Sequence, residues 1–312
     1  MARFNVRSLL LALALAAVPL PVTAAVQPFP KGFAVRDVAV DGAVIHMRIG
    51  GRGPTLVLLH GFGDTGDMWA PVAARLADRY TIIVPDLRGM GLSSHPEQGY
   101  DKKTQARDVA QLLSALKLAG PVYLVTHDLG NMVGYAFAAQ NRDRVARWVV
   151  MDAPIPGVGH WDDVLKDPKT WHFNFYGPDE ERLVAGRERI YLDRFYNELS
   201  AHPKHIDEAT RRHYAALYSR PGAMHDAFAQ FAAFRQDGID NRAFLAAGKL
   251  TMPILAIGGE KSFGTSLADE IRFVASDVSA VSIPDAGHWL MEEQPERTVD
   301  TIAGFLAKPL GH

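Results

Sequence analysis

Short apolar segments alternate along the chain with segments of helical periodicity. Six apolar segments are rich in β-branched residues and end in turn residues, which is typical of strands buried on both faces. They cover residues 54–61, 80–86, 121–128, 147–154, 252–259 and 278–288. Between them, the segments 67–78, 102–118 and 296–308 place apolar residues at helical spacing on one face. This alternation predicts a mostly parallel sheet covered by helices.

Two further segments near the start, 33–40 and 43–50, alternate polar and apolar residues and are joined by an Asp-Gly turn, which is typical of a hairpin. With them the prediction becomes an α/β fold with an eight-stranded sheet. The middle of the chain lacks strand-like segments, and helical segments rich in aromatic and charged residues follow one another there. We therefore predict two halves of a core, 25–153 and 250–312, separated by an inserted all-helical cap at 154–249.

The amino-terminal segment 1–24 has the composition of a secretory signal peptide. Two arginines precede an apolar run of about 14 residues, which ends in the small residues of VTAA. A single membrane anchor is the competing interpretation. The run is interrupted by Pro19 and Pro21 and is shorter than the roughly 20 residues of a spanning helix. We therefore predict cleavage near Ala24 or Ala25 and a periplasmic or secreted protein.

The composition narrows the class of partner. The 312 residues are 48% hydrophobic and carry a formal net charge of -2 without a basic tract, so neither nucleic acid nor a membrane surface is an expected partner. The chain has no cysteine, so a conventional core must stabilise an exported protein without disulfides. A small-molecule ligand is the expected partner, and a homo-oligomer remains open.

The segment YLVTHDLGNMVGY, residues 123–135, leads from a predicted strand through a tight polar corner into a predicted helix. Thr126, Asp128 and Gly130 occupy the positions small-x-nucleophile-x-small, the pattern of a nucleophile elbow. Such a turn projects one side chain above the carboxyl edge of the sheet. The competing interpretation is that Asp128 only caps the helix that follows.

A carboxylate at the nucleophile position selects its substrates by chemistry. When it attacks saturated electrophilic carbon it forms an ester, which water can cleave at the carbonyl. A serine would form an ether in the same reaction, and water could not release that product. An aspartate attacking an acyl group would form an energetically poor anhydride. Asp128 therefore indicates epoxides or organohalides as substrates.

Three more motifs follow predicted strands: HGFGDTGDMW at 60–69, PDLRGMGLSS at 85–94 and PDAGHWLMEEQP at 284–295. Together with the elbow, their order and spacing resemble the epoxide hydrolase and dehalogenase branch of the α/β-hydrolase family, from about Phe29 to Leu306. The segments MDAPIP and WHFNFY resemble the secreted bacterial epoxide hydrolases of that branch. This likeness agrees with the predicted export.

The resemblance implies a catalytic triad and an oxyanion hole. His288 is the expected base, since an imidazole can take a proton from water near neutral pH. Asp152 lies where the secreted relatives place the acid that orients this histidine, and Glu260 lies at the commoner family position and is the alternative acid. The backbone N–H groups of Phe62 and Leu129 are the expected oxyanion donors.

The resemblance also implies groups in the cap that bind the leaving oxygen of an epoxide. His172 matches the ring-opening histidine of the relatives. The tyrosine expected beside it is absent, because its position is occupied by Phe231, with Gln230 adjacent. Tyr214 and Tyr218 lie upstream and could replace it only if the cap brings one of them into the pocket.

The predicted function is hydrolysis of epoxides to vicinal diols without a cofactor. One alternative is a haloacid or haloalkane dehalogenase with the same Asp-His-Asp machinery, although Leu129 and Phe62 stand where haloalkane dehalogenases carry Trp and Asn. Another is a non-catalytic secreted binding protein on a hydrolase scaffold. His202 and His205 have the spacing of metal ligands, but without a third ligand no metal site is predicted.

Overall fold

The computed structural model describes residues 26–309, so the predicted signal peptide lies outside the described residues. The strands are β1 Ala34–Val40, β2 Ala43–Gly51, β3 Thr55–Leu59, β4 Thr81–Pro85, β5 Val122–His127, β6 Val145–Met151, β7 Ile254–Gly259 and β8 Val278–Ile283. They form one eight-stranded sheet in the order β1-β2-β4-β3-β5-β6-β7-β8. β2 is antiparallel to β1 and β4, and all other neighbours are parallel. The predicted mostly parallel α/β fold is confirmed.

The helices of the described residues cover both faces of the sheet and form the cap. They are α1 Ala70–Leu76, α2 Lys102–Ala115, α3 Leu129–Gln140, α4 Trp161–Val164, α5 Pro178–Val184, α6 Glu188–Glu198, α7 Glu208–Tyr218, α8 Ala223–Ala232, α9 Phe234–Ala246, α10 Leu267–Arg272, α11 Leu290–Glu293 and α12 Pro295–Leu306. Helices α2 and α3 pack together on one face, and α1 packs against α12 on the other. Within residues 26–309, no helix combines the length and the apolar composition that a membrane span requires.

Strand β3 shows why the sheet is buried on both faces. Successive side chains of a strand point to opposite faces, and all of those in β3 are buried. Val57 and Leu59 pack into the cluster around α2 and α3, whereas Leu56 and Leu58 pack into the cluster around α1 and α12. A continuous apolar run therefore fills two cores, and the carboxyl end of β3 is held firmly under the site.

The segment between β6 and β7 contains helices and 3₁₀ turns, and none of its residues from 154 to 249 lies in a strand. Within this region α5 and α6 are separated at Gly186, which has φ +74°. Helix α9 packs against α2 and α3 beside the sheet. It therefore lies in the layer of the core helices, although it falls within the predicted cap at 154–249. The end of the cap at residue 249 stays a prediction.

Aromatic rings join the cap to the sheet. The Phe62 ring, in the turn after β3, lies 5.1 Å from the ring of Phe195 and 5.0 Å from that of Phe231, centroid to centroid and edge to face. All three side chains are buried. Such pairs add about 0.5–1.5 kcal/mol each beyond the burial of their area. These contacts hold the cap directly over the carboxyl edge of the sheet.

Candidate active site

Asp128 occupies the turn between β5 and α3 with φ 50° and ψ -119°. A positive φ is strained for a residue other than glycine, and such strain is concentrated at functional sites. The turn is also crowded: a Cβ on Gly130 would collide with the backbone of Leu59, and one on Gly61 with the Asp128 side chain. The Asp128 carboxylate makes no capping hydrogen bond to α3. The geometry is therefore that of an elbow and not of a helix cap.

His288 lies between two carboxylates. Its Nδ1 is 3.0 Å from Asp152 Oδ2, and its Nε2 is 3.7 Å from Asp128 Oδ2. A carboxylate accepts hydrogen bonds, so Nδ1 carries a proton and Nε2 faces the elbow. The other Asp152 oxygen accepts from the N–H groups of Gly259 at 3.0 Å and Phe263 at 3.4 Å. Asp152 is buried, and both of its oxygens are thereby occupied.

Glu260 lies elsewhere. It is exposed, its carboxylate accepts from the backbone N–H of Asp285 at 3.1 Å, and it lies 3.5 Å from the ammonium of Lys261. The pKa of Glu260 is lowered, first by that backbone hydrogen bond and then by the Lys261 charge. The structure thus brings Asp152 to His288 and leaves Glu260 in a surface loop.

The charges around His288 set its protonation. Burial alone would lower the pKa of the imidazole, but the hydrogen bond to Asp152 and the negative charges of Asp152 and Asp128 outweigh burial and raise the pKa to about 9. At neutral pH His288 is therefore an imidazolium paired with two carboxylates. Neutralising either carboxylate would make this imidazolium more acidic.

The predicted oxyanion groups lie at the elbow. The Phe62 N–H donates to Asp128 Oδ1 at 2.9 Å, so a donor already points at the carboxyl group on which an oxyanion would form. Leu129 is the first residue of α3 and is buried. The N–H groups of the first helical turn have no partner within the helix. The Phe62 N–H therefore points at the Asp128 carboxylate, and the role of the Leu129 N–H as the second donor stays a prediction.

The cap contributes His172 to the cavity above Asp128. The imidazole is 6% exposed, and its Nδ1 makes no hydrogen bond with any residue that the structure describes. Burial, aided by the positive charge of Arg194, lowers the pKa of His172 to about 3. It is therefore a neutral imidazole at physiological pH, and the residue lines the cavity.

The other cap candidates divide into two groups. Phe231 lines the cavity, with its ring centroid 5.4 Å from that of His172. Gln230 turns away from it and hydrogen-bonds Gln105 and the carbonyl of Arg88. Among the described residues, no tyrosine lines this cavity. Tyr214 and Tyr218 could replace the missing tyrosine only if the cap brought one of them into the pocket, and neither lines it: both are buried, and the Tyr218 hydroxyl lies at Gly63.

The cavity has a volume of about 420 Å³ and two kinds of wall. The inner wall is largely aromatic and aliphatic: Phe62, Phe173, Phe195, Phe231 and Trp289 are buried, and Leu199 is half-buried. The exposed residues that also line it are polar, among them Asp163, Lys169 and Lys261. A small apolar molecule fits the inner part, where each fully desolvated CH₂ stabilises binding by about 0.8 kcal/mol.

Comparison with known proteins agrees with this geometry. A model of the alpha/beta hydrolase family matches residues 56–301, which include β3 to β8, the elbow, the cap and His288. The chain belongs to this family.

Relatives of this alpha/beta hydrolase are named for several reactions, among them epoxide hydrolysis and dehalogenation. It is 33% identical over 276 residues to a soluble epoxide hydrolase from Corynebacterium sp. (strain C12), across 86% of this chain and 95% of the relative. It is 28% identical over 297 residues to a fluoroacetate dehalogenase from Burkholderia sp, across 89% and 95%. The Cif epoxide hydrolase from Acinetobacter nosocomialis superimposes with a TM-score of 0.83 at 27% identity, across 90% and 91%. The resemblance to the epoxide hydrolase and dehalogenase branch is confirmed, and these relatives support a hydrolase of small electrophilic substrates.

Two supporting residues of this hydrolase escaped the sequence analysis. His127 directly precedes the nucleophile position, and its Nε2–H donates to the backbone carbonyl of His288 at 3.0 Å. Asn131, one turn into α3, donates to the carbonyls of Met151 and Ala153 on either side of Asp152. Both are buried polar residues next to the elbow. Polar side chains in an otherwise apolar strand–turn–helix were the signal that could have identified them.

Two further features concern loops. Asp86 accepts from the N–H groups of Gly66 and Leu92 at 2.9 and 2.8 Å, so its carboxylate stabilises the loop after β4. The rings of His202 and His205 lie 5.1 Å apart. Across residues 26–309, no group of three or more His, Asp or Glu side chains is arranged to hold a metal ion.

Proposed function

We propose that this hydrolase opens epoxides to vicinal diols through an ester on Asp128. The observation that supports this most directly is the position of the Asp128 carboxylate. It lies at a strained elbow between the Phe62 N–H at 2.9 Å and the His288 Nε2 at 3.7 Å, under an apolar cavity. A nucleophile, an oxyanion donor and a base thus converge on one carboxyl group.

In the first step an Asp128 oxygen attacks one epoxide carbon. The new carbon–oxygen bond forms as the ring carbon–oxygen bond breaks, and that electron pair stays on the leaving oxygen. The product is an alkyl ester of Asp128 with an alkoxide on the neighbouring carbon. The neutral His172 imidazole, which faces the cavity from the opposite side, donates an N–H to the developing alkoxide.

The proton that completes this first hydroxyl comes from His288 through a water molecule. The charge on Asp128 helps to raise the pKa of His288 to about 9, and ester formation removes that charge. The imidazolium therefore becomes more acidic at the moment when the alkoxide needs a proton. Its neutral form is left beside the ester, ready to act as a base.

In the second step neutral His288 takes a proton from water, and the hydroxide attacks the ester carbonyl carbon. The resulting oxyanion is stabilised by the N–H groups of Phe62 and Leu129. The bond from the carboxyl carbon to the alkyl oxygen then breaks, and the diol leaves with the His288 proton. The new carboxylic acid returns a proton to His288, so the resting charges are restored. Water and epoxide are the only net reactants.

Dehalogenation is the second candidate, and the fluoroacetate dehalogenase relative is what favours it. A haloacid also carries a carboxylate, which needs a cation close to the reacting carbon. The described lysines that line the cavity, Lys169 and Lys261, are exposed at its surface. The wall beside Asp128 is apolar apart from the triad and the neutral His172. An uncharged epoxide therefore fits this inner wall better than a haloacid does.

A His288→Gln variant tests the proposal, because it removes the base and retains Asp128. The variant is incubated with panels of epoxides, haloalkanes and haloacids, and the mass of the peptide containing Asp128 is then measured. We expect a mass increase equal to the epoxide. An adduct with release of halide would instead support the dehalogenase. No adduct with any compound, either in this variant or in wild-type protein quenched during single turnovers, would support a binding protein and contradict the proposed function.

We also infer from the amino-terminal composition that the enzyme acts in the periplasm or outside the cell. The mass of the mature protein recovered from each cell fraction is the test. An amino terminus near Ala24 or Ala25 in the exported fraction is expected. Intact protein confined to the cytoplasm would contradict the inference.

A further inference from the structure

Two tyrosines of the cap hold the turn that carries the predicted oxyanion donor. The N–H of Gly63 donates to the Tyr218 hydroxyl at 2.8 Å, and the Tyr196 hydroxyl donates to the carbonyl of Gly63. The Tyr218 hydroxyl also donates to the carbonyl of Asp64 at 3.3 Å. Both tyrosines are buried, at 3% and 0% exposure. Helices α6 and α7 thus fix the two peptide groups on either side of Gly63.

The turn needs such support because it is built from glycine. Phe62 lies between Gly61 and Gly63, and glycine leaves the backbone more free to rotate than any other residue. Gly63 has φ +85°, and a Cβ there would collide with Trp289. On the core side, the Gly61 N–H donates to Asp64 Oδ1 at 3.0 Å. On the cap side, the two tyrosines supply the hydrogen bonds to Gly63.

This turn sets the direction of the Phe62 N–H. That group points at Asp128 Oδ1 from 2.9 Å, and the next peptide group along the chain is the one that Tyr218 holds. An oxyanion donor contributes through its alignment, and loss of one such donor costs about 100- to 1,000-fold in rate. A modest rotation of the turn therefore has a measurable kinetic effect without any change in the triad.

We propose that Tyr218 and Tyr196 are positioning residues for hydrolysis of the ester. They do not line the substrate cavity, and they act through Gly63 to aim the Phe62 N–H at the oxyanion. This inference rests on the proposed function, since it needs an ester on Asp128. It assigns to the cap a role in the second chemical step, separate from the role of His172 in the first.

The experiment separates the two steps in the Tyr218→Phe variant. Single turnovers with excess enzyme and a small terminal epoxide are quenched at short times. The mass of the Asp128 peptide gives the rate constants for formation and hydrolysis of the ester. We expect ester hydrolysis to slow about tenfold, a fraction of the cost of losing an oxyanion donor outright. Ester formation should change less than about twofold, so the ester accumulates.

Tyr214→Phe is the matched control. Tyr214 lies one turn earlier in α7 and is equally buried, and its hydroxyl makes no hydrogen bond with the residues that the structure describes. Its removal should leave both rate constants unchanged. Tyr196→Phe should slow hydrolysis in the same way as Tyr218→Phe, because it releases the other side of Gly63. Thermal unfolding of all three variants checks that each is folded at the assay temperature.

The outcomes separate the two proposals. If wild-type protein and His288→Gln form no ester with any substrate, the proposed function fails and this inference fails with it. If the ester forms but Tyr218→Phe hydrolyses it at the wild-type rate, only the positioning role is overturned. An equal slowing of both steps would also overturn it, since general loosening of the site would then explain the effect.

Discussion

The two walls of the cavity are built in different ways. On the sheet side, Asp128, Asp152 and His288 each have a polar partner within 3.7 Å. On the cap side, aromatic rings surround one histidine whose Nδ1 has no hydrogen-bond partner among the described residues. The sheet wall thus carries charged groups that are already paired with one another, whereas the cap wall carries a single neutral histidine among aromatic rings.

This difference separates two properties of the site. The sheet wall determines the type of bond chemistry, since it supplies the nucleophile and the base. The cap wall determines which leaving group is accepted, since its donors face the departing atom. Backbone strain and hydrogen bonds fix the first wall, and side-chain packing fixes the second. Substitutions on the two walls should therefore differ in size and in the step that they change.

Asp128→Asn should give the largest effect. Asparagine tolerates a positive φ, so the turn keeps its shape while the nucleophilic charge is lost. We expect epoxide turnover to fall by about 10⁴-fold or more, as when a covalent nucleophile is removed. Diol formation measured over hours provides the readout. Turnover within tenfold of the wild type would mean that no ester forms at this residue.

Asp152→Asn should follow, with a loss of about 10³- to 10⁴-fold. With its oxygen still facing the N–H groups of Gly259 and Phe263, the new amide would donate to His288 Nδ1 and favour the wrong tautomer. Steady-state turnover of an epoxide is the measurement. Glu260→Gln is the control and should leave turnover unchanged, because Glu260 lies in an exposed loop. A large loss in Glu260→Gln would reverse the assignment of the acid.

The Asp152→Asn variant should also change the pH dependence of kcat/KM. The pKa of His288 is raised to about 9 by its carboxylate partners, against the effect of burial, and the protonated ring is the form that assists ring opening. In the wild type, kcat/KM should therefore fall as the pH rises through about 9. Removing the Asp152 charge lowers the pKa, so the fall should move to lower pH. An unchanged alkaline limb would show that another group titrates there.

Much of the sheet wall could be predicted from sequence because local patterns determine it. The elbow and the placement of Asp128, Asp152 and His288 at strand ends follow from short motifs. Parallel strands bring their carboxyl ends to the same edge, so these motifs must meet. Sequence alone leaves the choice between Asp152 and Glu260 open, because the two residues follow adjacent strands and only the structure shows which side chain turns inward.

The cap was harder to predict because long-range packing determines it. Tyr214 and Tyr218 lie one turn apart in α7, and nothing in their local sequence shows which hydroxyl finds a partner. Tyr218 reaches Gly63, more than 150 residues away along the chain, while the Tyr214 hydroxyl has no described partner. Periodicity identifies the buried face of a helix but not the loop that this face touches.

His172→Phe tests the cap wall directly. Phenylalanine keeps an aromatic ring among its neighbours and removes the N–H, so ester formation from an epoxide should slow about 100-fold, the lower range for a lost acid–base group. Ester hydrolysis should change little. Single-turnover mass measurements separate the two steps. His225→Phe, at an exposed cap position, is the control, and an unchanged rate of ester formation in His172→Phe would remove this residue from the mechanism.

Phe231→Tyr should give the smallest effect, in the opposite direction. Phe231 lines the cavity beside His172, so a hydroxyl there can add a second donor to the developing alkoxide. A hydrogen bond to a charged group contributes about 1.5–3 kcal/mol. Desolvation of the new hydroxyl offsets part of this free energy, so we expect the rate of ester formation from epoxides to rise by up to about tenfold. Phe234→Tyr, a buried position away from the cavity lining, should lower thermal stability and leave this rate unchanged. An equal gain with haloalkanes would show that the added hydroxyl acts on binding in general and not on the leaving oxygen.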